Sequence, residues 1–143
     1  MAAEVTPRQR IEHECQLRGK REFVAGCIEL LSDAVVDDAL VKALGGAGTD
    51  WVLEGPSPEV NEYWLRVWAA RGLFWAWDDI ATDSVLTALS DEAWRVREMA
   101  CRVVAKHQVG EALPVVAELR TDPVRRVQIA ASRAVVKLTQ VGA

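Results

Sequence analysis

A repeat of 31 residues constrains this chain more than any other feature of its sequence. The stretches that begin at Asp91 and Asp122 match in the size and polarity of their residues, and an earlier stretch matches both at the same offset. In each copy the apolar residues fall at i, i+4, i+7 and i+8, the spacing of a helix with one buried stripe. The matched columns are Leu65/Val96/Val127, Ala69/Ala100/Ala131, Gly72/Val103/Ala134 and Leu73/Val104/Val135. Eight of these residues are predicted to be buried at helix–helix contacts: Leu65, Ala69, Val96, Ala100, Val103, Val127, Ala131 and Val135.

Aspartate, proline and glycine mark where the helices begin and end. Asp122 followed by Pro123 predicts an N-cap with proline at the first helical position, Ser57 with Pro58 predicts the same, and Asp91 can cap the middle copy. No strand pattern competes, so the sequence predicts an all-α fold of about four helix pairs. The other expected helices cover residues 8–17, 20–31, 37–44, 83–89 and 112–119, with a single turn at 51–53.

The residues of the middle copy resemble a known repeat. The stretch from Asp91 to Cys101, followed by Glu111-Ala-Leu-Pro114 and Leu119-Arg-Thr-Asp-Pro123, is similar to the short HEAT-like repeat first described in phycobilin lyases. The resemblance covers about residues 57–138 and is weaker over 23–46. It implies an α/α superhelix, that is, a HEAT-like solenoid, and it implies no lyase activity because this repeat serves many functions.

The same resemblance implies a ladder of polar contacts between neighbouring repeats. In the family, an Asp before the first helix of a repeat and an Arg six residues later form this ladder, and Asp91 with Arg97 fits it. Gln128 replaces the Arg in the last copy, and Val60 replaces the Asp in the first. We therefore expect the ladder to be broken at both ends.

Length and charge set the broad class of protein. With 143 residues, the chain suits one domain, in which 1–19 caps the stack, 20–48 is an irregular first pair and 57–143 holds three repeats. The net charge is −4, but residues 1–94 carry 8 Lys/Arg and 17 Asp/Glu, whereas residues 95–143 carry 9 and 4. Such polarity can reflect an interaction surface. The sequence has no long apolar run or apolar leader, and its three unpaired cysteines are typical of a reducing, cytoplasmic setting.

Cations recur at matched positions on one flank of the repeated helix. At about 100° per residue these positions share a narrow arc, so stacked copies would align them as a stripe. Such a surface can bind acidic peptides or a nucleic-acid backbone. In the alternative, the cations only keep a face solvated and the two tryptophans pack under the N-terminal region. The candidate binding residues are Trp64, Arg71 and Trp75 in the first copy, Arg95, Arg102 and Lys106 in the second, and Arg126, Arg133 and Lys137 in the third.

Other residues carry weaker chemical signals. Asp78, Asp79 and Asp83 follow a run of tryptophans and resemble, in residue type only, the site of HEAT-like DNA glycosylases; helix capping is the alternative. One pair, His13-Glu14, falls short of the several His-Glu pairs of HEAT-like iron hydroxylases, and His107 falls in a core column. We find no catalytic set and no phosphate loop.

The sequence thus predicts a cytoplasmic, non-enzymatic adaptor or regulatory scaffold that binds another protein through a helical-repeat surface. We expect no cofactor, metal or membrane contact, and self-association stays open. The alternative is a nucleic-acid-binding protein that resembles the HEAT-like alkylbase DNA glycosylases.

Overall fold

The computed structural model of the protein describes residues 5–32, 38–46 and 58–140, and in these ranges it contains helices and no β-strand. The predicted all-α class is therefore confirmed for the described ranges, while the turn at 51–53 and the cap at Ser57 lie outside them. The helices are α1 (Pro7–Arg18), α2 (Lys20–Leu31), α3 (Asp38–Gly45), α4 (Pro58–Trp75), α5 (Thr82–Ala88), α6 (Trp94–His107), α7 (Leu113–Leu119) and α8 (Arg125–Thr139). A 3₁₀ turn at Asp79–Ala81 precedes α5, and a second one at Gly110–Ala112 precedes α7.

The helices group into two compact units, Met1–Ala81 and Thr82–Ala143. The first unit holds α1 to α4 with the first 3₁₀ turn, and the second holds α5 to α8 with the second turn. That the whole chain forms one domain stays a prediction.

In the first unit, local signals fix the start and end of α1. The Thr6 hydroxyl accepts the N–H of Gln9 at 3.1 Å, and the Gln9 side chain accepts the N–H of Thr6 at 2.9 Å. This reciprocal capping box satisfies two donors that a helix start leaves without a partner. Gly19 ends the helix with a φ of 88°, a conformation that favours glycine, and α2 begins at the next residue.

The core of the first unit forms where α4 packs on α2 and α3. Phe23, Cys27 and Leu44 are fully buried there. The helices approach closely at Gly72, where an added Cβ would lie 2.7 Å from the Leu44 side chain and 2.8 Å from the Cys27 sulfur. A side chain at this position would therefore require its neighbours to shift.

In the second unit, the boundaries of the structural elements repeat at the offset seen in the sequence. The helix pair α5 and α6 begins at Thr82 and Trp94, and the pair α7 and α8 begins 31 residues later at Leu113 and Arg125. Helix α8 packs on both α6 and α7, and α5 packs on α6. The two copies therefore share helix positions as well as apolar columns.

Most of the predicted core columns are buried. Of the eight residues predicted to be buried, Val135 is the exception, since it is half-buried on α8, the last described helix. His107 is also half-buried, so its assignment to a core column is only partly correct. The buried positions of this set are Leu65, Ala69, Val96, Ala100, Val103, Val127 and Ala131.

The predicted cap of α8 is wrong in position. The helix begins at Arg125 after the N-cap residue Val124, so Pro123 precedes the helix and is not its first residue. Asp122 instead accepts the N–H of Val124 at 2.8 Å, in a local turn of the kind that aspartate favours. The predicted cap at Asp91 is wrong in the same way, because the N-cap residue of α6 is Ala93, whose N–H Asp91 accepts at 2.8 Å. The aspartate thus organises the turn before each helix.

Replacing Ala100 by leucine tests the packing of the repeat. Ala100 is fully buried on α6, so the larger side chain should lower the free energy of unfolding by about 1–3 kcal/mol through overpacking. Ala39→Leu, at an exposed alanine of α3, is the control and should change it by less than about 0.5 kcal/mol. Urea unfolding followed by circular dichroism measures both. Equal effects would contradict the proposed packing.

Candidate interaction surface

Positive charge concentrates on α6 and α8 of the second unit. Together these helices carry eight Arg or Lys residues and one carboxylate, Glu98. We define the basic face as the six of these cations that the sequence predicted to form the stripe. Arg95 is half-buried and the other five are exposed: Arg102, Lys106, Arg126, Arg133 and Lys137.

Trp94 lies between two cations of the basic face. The Arg95 guanidinium is 4.4 Å and the Arg126 guanidinium 5.4 Å from the centroid of its ring, both within the range of cation–π attraction. Arg126 also donates to Glu98 at 2.8 Å. Trp94 was not predicted as a binding residue because the matching residue of the third copy, Arg125, is not aromatic. The available signal was its position directly before Arg95, one of the predicted binding residues.

The predicted ladder is present at Arg97. Its guanidinium donates from Nε and Nη2 to the two carboxylate oxygens of Asp122, at 2.9 and 3.1 Å. From Nη1 it also donates to the carbonyl of Asp91 at 2.8 Å and to that of Glu92 at 3.1 Å. One side chain therefore ties the turn before α6 to the turn before α8.

The last copy keeps half of this contact. Gln128 donates from its amide nitrogen to the carbonyl of Asp122 at 2.6 Å, which is the equivalent of the bond from Arg97 to Asp91. Glutamine therefore retains the bond within the repeat, although it lacks the positive charge with which Arg97 pairs with a carboxylate. The expectation of a broken ladder at this end is thus wrong for the bond within the repeat and stays a prediction for the charged bond. Val60, at the other end, has no described side chain.

Asp122 is buried, and its surroundings still favour the carboxylate. Burial by itself raises the pKa of this group, but the hydrogen bond from Arg97, the N–H of Val124 and the charge of Arg97 together hold it below the ordinary value of 3.8. The Asp122 carboxylate is therefore ionised near neutral pH. Its contact with Arg97 fixes the position of α6 relative to α8 and so aligns the cations of the basic face on the two helices.

The first-copy members of the predicted stripe lie in the first unit and are all half-buried. Arg71 donates to the carbonyl of Leu44 at the end of α3, and burial, followed by the charge of Arg10, lowers its pKa. The Trp75 ring has the Arg8 guanidinium 4.9 Å from its centroid, and the Trp64 ring lies 6.2 Å from Trp68. Their continuity with the basic face stays a prediction.

The remaining candidates take structural roles where they are described. Asp78 accepts the N–H of Ile80 at 3.0 Å, and Asp79 accepts the indole N–H of Trp77 at 3.0 Å. Burial raises the pKa of the Cys101 thiol to about 12, which disfavours the reactive thiolate. His13 is exposed. Within the described ranges, no three His, Cys, Asp or Glu side chains cluster as metal ligands would.

No protein-family model matches this sequence, and neither the curated proteins nor the solved structures contain a significant match to it. Among the described helices, none has the length and apolar character that crossing a bilayer requires.

Replacing Asp122 by asparagine tests the ladder. The Arg97 guanidinium would lose its charged partner in a site where only 3% of the Asp122 side chain is exposed, so the free energy of unfolding should fall by about 1–3 kcal/mol. The control Glu98→Gln weakens the pair with Arg126, whose side chain is 67% exposed, and should remove at most about 1 kcal/mol. Urea unfolding compares them. A larger loss in the control would show that the ladder is not the stronger contact.

The pH dependence of stability gives a second test of Asp122. Because its pKa is lower in the folded chain than in the unfolded chain, its contribution is fully present above the ordinary value of 3.8 and is lost as pH falls through the lower, folded value. The difference in unfolding free energy between wild type and Asp122→Asn should therefore be constant from about pH 7 to pH 5 and shrink below about pH 4. A difference that stays constant at acid pH would contradict the assignment.

Proposed function

We propose that this chain is a helical-repeat adaptor that binds another protein through the basic face of α6 and α8. The observation that carries the proposal is the placing of cations at three matched positions in two successive copies, five of them exposed. A solvated surface needs charge, but it does not need the same sign at equivalent positions. An acidic partner surface would be attracted to such a face and oriented by it.

The proposal includes an α/α superhelix of HEAT-like repeats as the scaffold. Two observations support it: element boundaries that recur every 31 residues and the bonds that Arg97 makes to Asp91 and Asp122. The buried thiols of Cys27 and Cys101 suit a reducing compartment, so we propose the cytoplasm as its location. A binding role without catalysis is part of the same proposal.

Trp94 gives the basic face some preorganisation. Its ring holds the guanidinium groups of Arg95 and Arg126, which reduces the side-chain freedom that binding would otherwise remove. Aromatic and arginine side chains are also the residue types that dominate the energetics of protein interfaces. Trp64, Arg71 and Trp75 are proposed to extend the binding surface in the first unit, and they need a separate test.

Capture of partners from a lysate of the native cells tests the proposal. Arg102→Glu/Arg133→Glu reverses two exposed charges of the basic face, and we expect it to lose most of the captured protein. Capture by the wild type should also weaken as salt rises from about 0.1 M to 0.5 M, because charges near water are screened. Lys20→Glu/Arg21→Glu, at exposed positions of α2, is the matched control and should retain the partner.

Two further arms separate the alternatives. Trp64→Ala/Trp75→Ala tests the proposed extension, after circular dichroism has shown that helicity is intact. Treatment with nuclease shows whether retention depends on nucleic acid, in which case the nucleic-acid alternative replaces the protein partner. Retention of one nuclease-resistant partner by the charge-reversed chain and by the tryptophan variant would contradict the whole surface.

A further inference from the structure

Helix α8 has an exposed side in which apolar side chains are flanked by cations. We define the α8 outer face as Arg125, Ile129, Ser132, Arg133 and Val136. These residues are spaced at i, i+4, i+7, i+8 and i+11, so they share one side of the helix. Ile129 is 40% exposed and Val136 is 53% exposed, and the other three residues are exposed as well. Large aliphatic side chains so open to water are a mark of a binding surface when charged residues surround them.

The equivalent side of α6 is covered by α8 at three of its five positions, whereas Arg102, the counterpart of Arg133, is exposed. By the 31-residue offset, Trp94 and Glu98 correspond to Arg125 and Ile129, and both contact Arg126 of α8. Cys101, which corresponds to the exposed Ser132, is fully buried. The α6 side thus faces its neighbour α8, whereas the same side of α8 is open. Helix α8 therefore has the geometry to receive another helix packed alongside it.

The charge of α8 indicates what kind of partner helix can pack beside it. Helix α8 carries four cations and no carboxylate, and Arg126 and Lys137 border the outer face. Two copies of the chain paired through this face would bring like charges together, which disfavours a symmetric dimer. A partner helix with an apolar stripe over Ile129 and Val136 and with carboxylates beside Arg125 and Arg133 would bury the aliphatic groups and neutralise the cations.

Two other classes of partner match the face less well. A nucleic acid would place charged phosphates against the aliphatic centre formed by Ile129 and Val136. A membrane surface requires deeper apolar side chains, whereas the α8 outer face offers two aliphatic groups and no aromatic residue. Both classes remain as outcomes of the test.

We propose that the α8 outer face binds an acidic, amphipathic α-helix of a partner protein, which packs alongside α8 as α8 packs alongside α6. The inference rests on the proposed function, because Arg133 also belongs to the basic face. It adds the chemistry and the secondary structure of the partner segment. This mode of binding is that of an amphipathic helix, in which apolar side chains make the anchoring contacts, here with Ile129 and Val136, which are seven residues apart.

A displayed library of helical peptides is the probe. The peptides have about 18 residues, which spans about 27 Å, with a fixed leucine stripe and flanking positions randomised among Glu, Lys, Gln and Ser. Selection on the full chain should enrich Glu over Lys at the flanking positions. Enrichment of Lys, or of no sequence, would overturn the proposal. Binding of anionic vesicles or of a labelled oligonucleotide with higher affinity than the selected peptides would also overturn it.

Matched variants then locate the bound peptide. Ile129→Ser/Val136→Ser and, separately, Arg125→Glu/Arg133→Glu should each weaken binding of the best peptide at least roughly tenfold, or about 1.4 kcal/mol, in fluorescence anisotropy. Ile80→Ser is the apolar control, since Ile80 lies in the first unit and is also 40% exposed. It should leave the affinity unchanged. An unchanged affinity in the two α8 variants, with helicity intact, would place the peptide elsewhere and overturn the inference.

The failure of this inference can be told apart from the failure of the proposed function. Arg102→Glu/Lys106→Glu changes exposed cations of α6 and leaves the α8 outer face intact. If this variant loses the lysate partner while no acidic peptide is selected, the adaptor function stands and the helical partner segment is wrong. Both proposals are wrong if this variant and Arg102→Glu/Arg133→Glu each retain the lysate partner and no acidic peptide is selected.

Discussion

The bonds made by Arg97 organise the second unit. Its guanidinium reaches two backbone carbonyls in the turn before α6 and both carboxylate oxygens of Asp122 in the turn before α8. Apolar burial holds α6 and α8 together, but apolar contacts tolerate sliding, whereas a two-pronged charged contact fixes one register. The spacing of cations between the two helices follows from that register. The contact therefore determines which surface the second unit presents.

The few carboxylates near α6 and α8 pair with particular arginines. Asp122 is the buried carboxylate of the described residues, and it pairs with Arg97, whose side chain is 15% exposed. Glu98 is the one carboxylate of the two helices, and it pairs with Arg126. The two helices together carry eight cations and this one carboxylate, so their net charge is strongly positive. The positive surface is thus a consequence of how the acidic residues are placed.

The sequence predicted what depends on local pattern and missed what depends on distant neighbours. The columns that contain Ala100 and Ala131 were predictable because apolar spacing alone decides which side of a helix is buried. The start of α8 was not, because the Asp122 side chain serves Arg97, 25 residues earlier, as well as its own turn. Trp94 was missed for a related reason: its partner Arg126 lies on another helix. No pattern within one helix contains such a contact.

Arg71 shows most clearly how a neighbour changes the role of a repeat position. It occupies the same column as Arg102 and Arg133, which are exposed, yet its guanidinium turns to the carbonyl of Leu44. The C-terminal end of α3 offers carbonyl groups that helix geometry leaves without partners, and a cation is stabilised there. In the second unit the side chains of Arg102 and Arg133 are exposed. The same repeat position therefore lies against a helix end in one copy and at the surface in the other two, and the proposed surface centres on the two exposed copies.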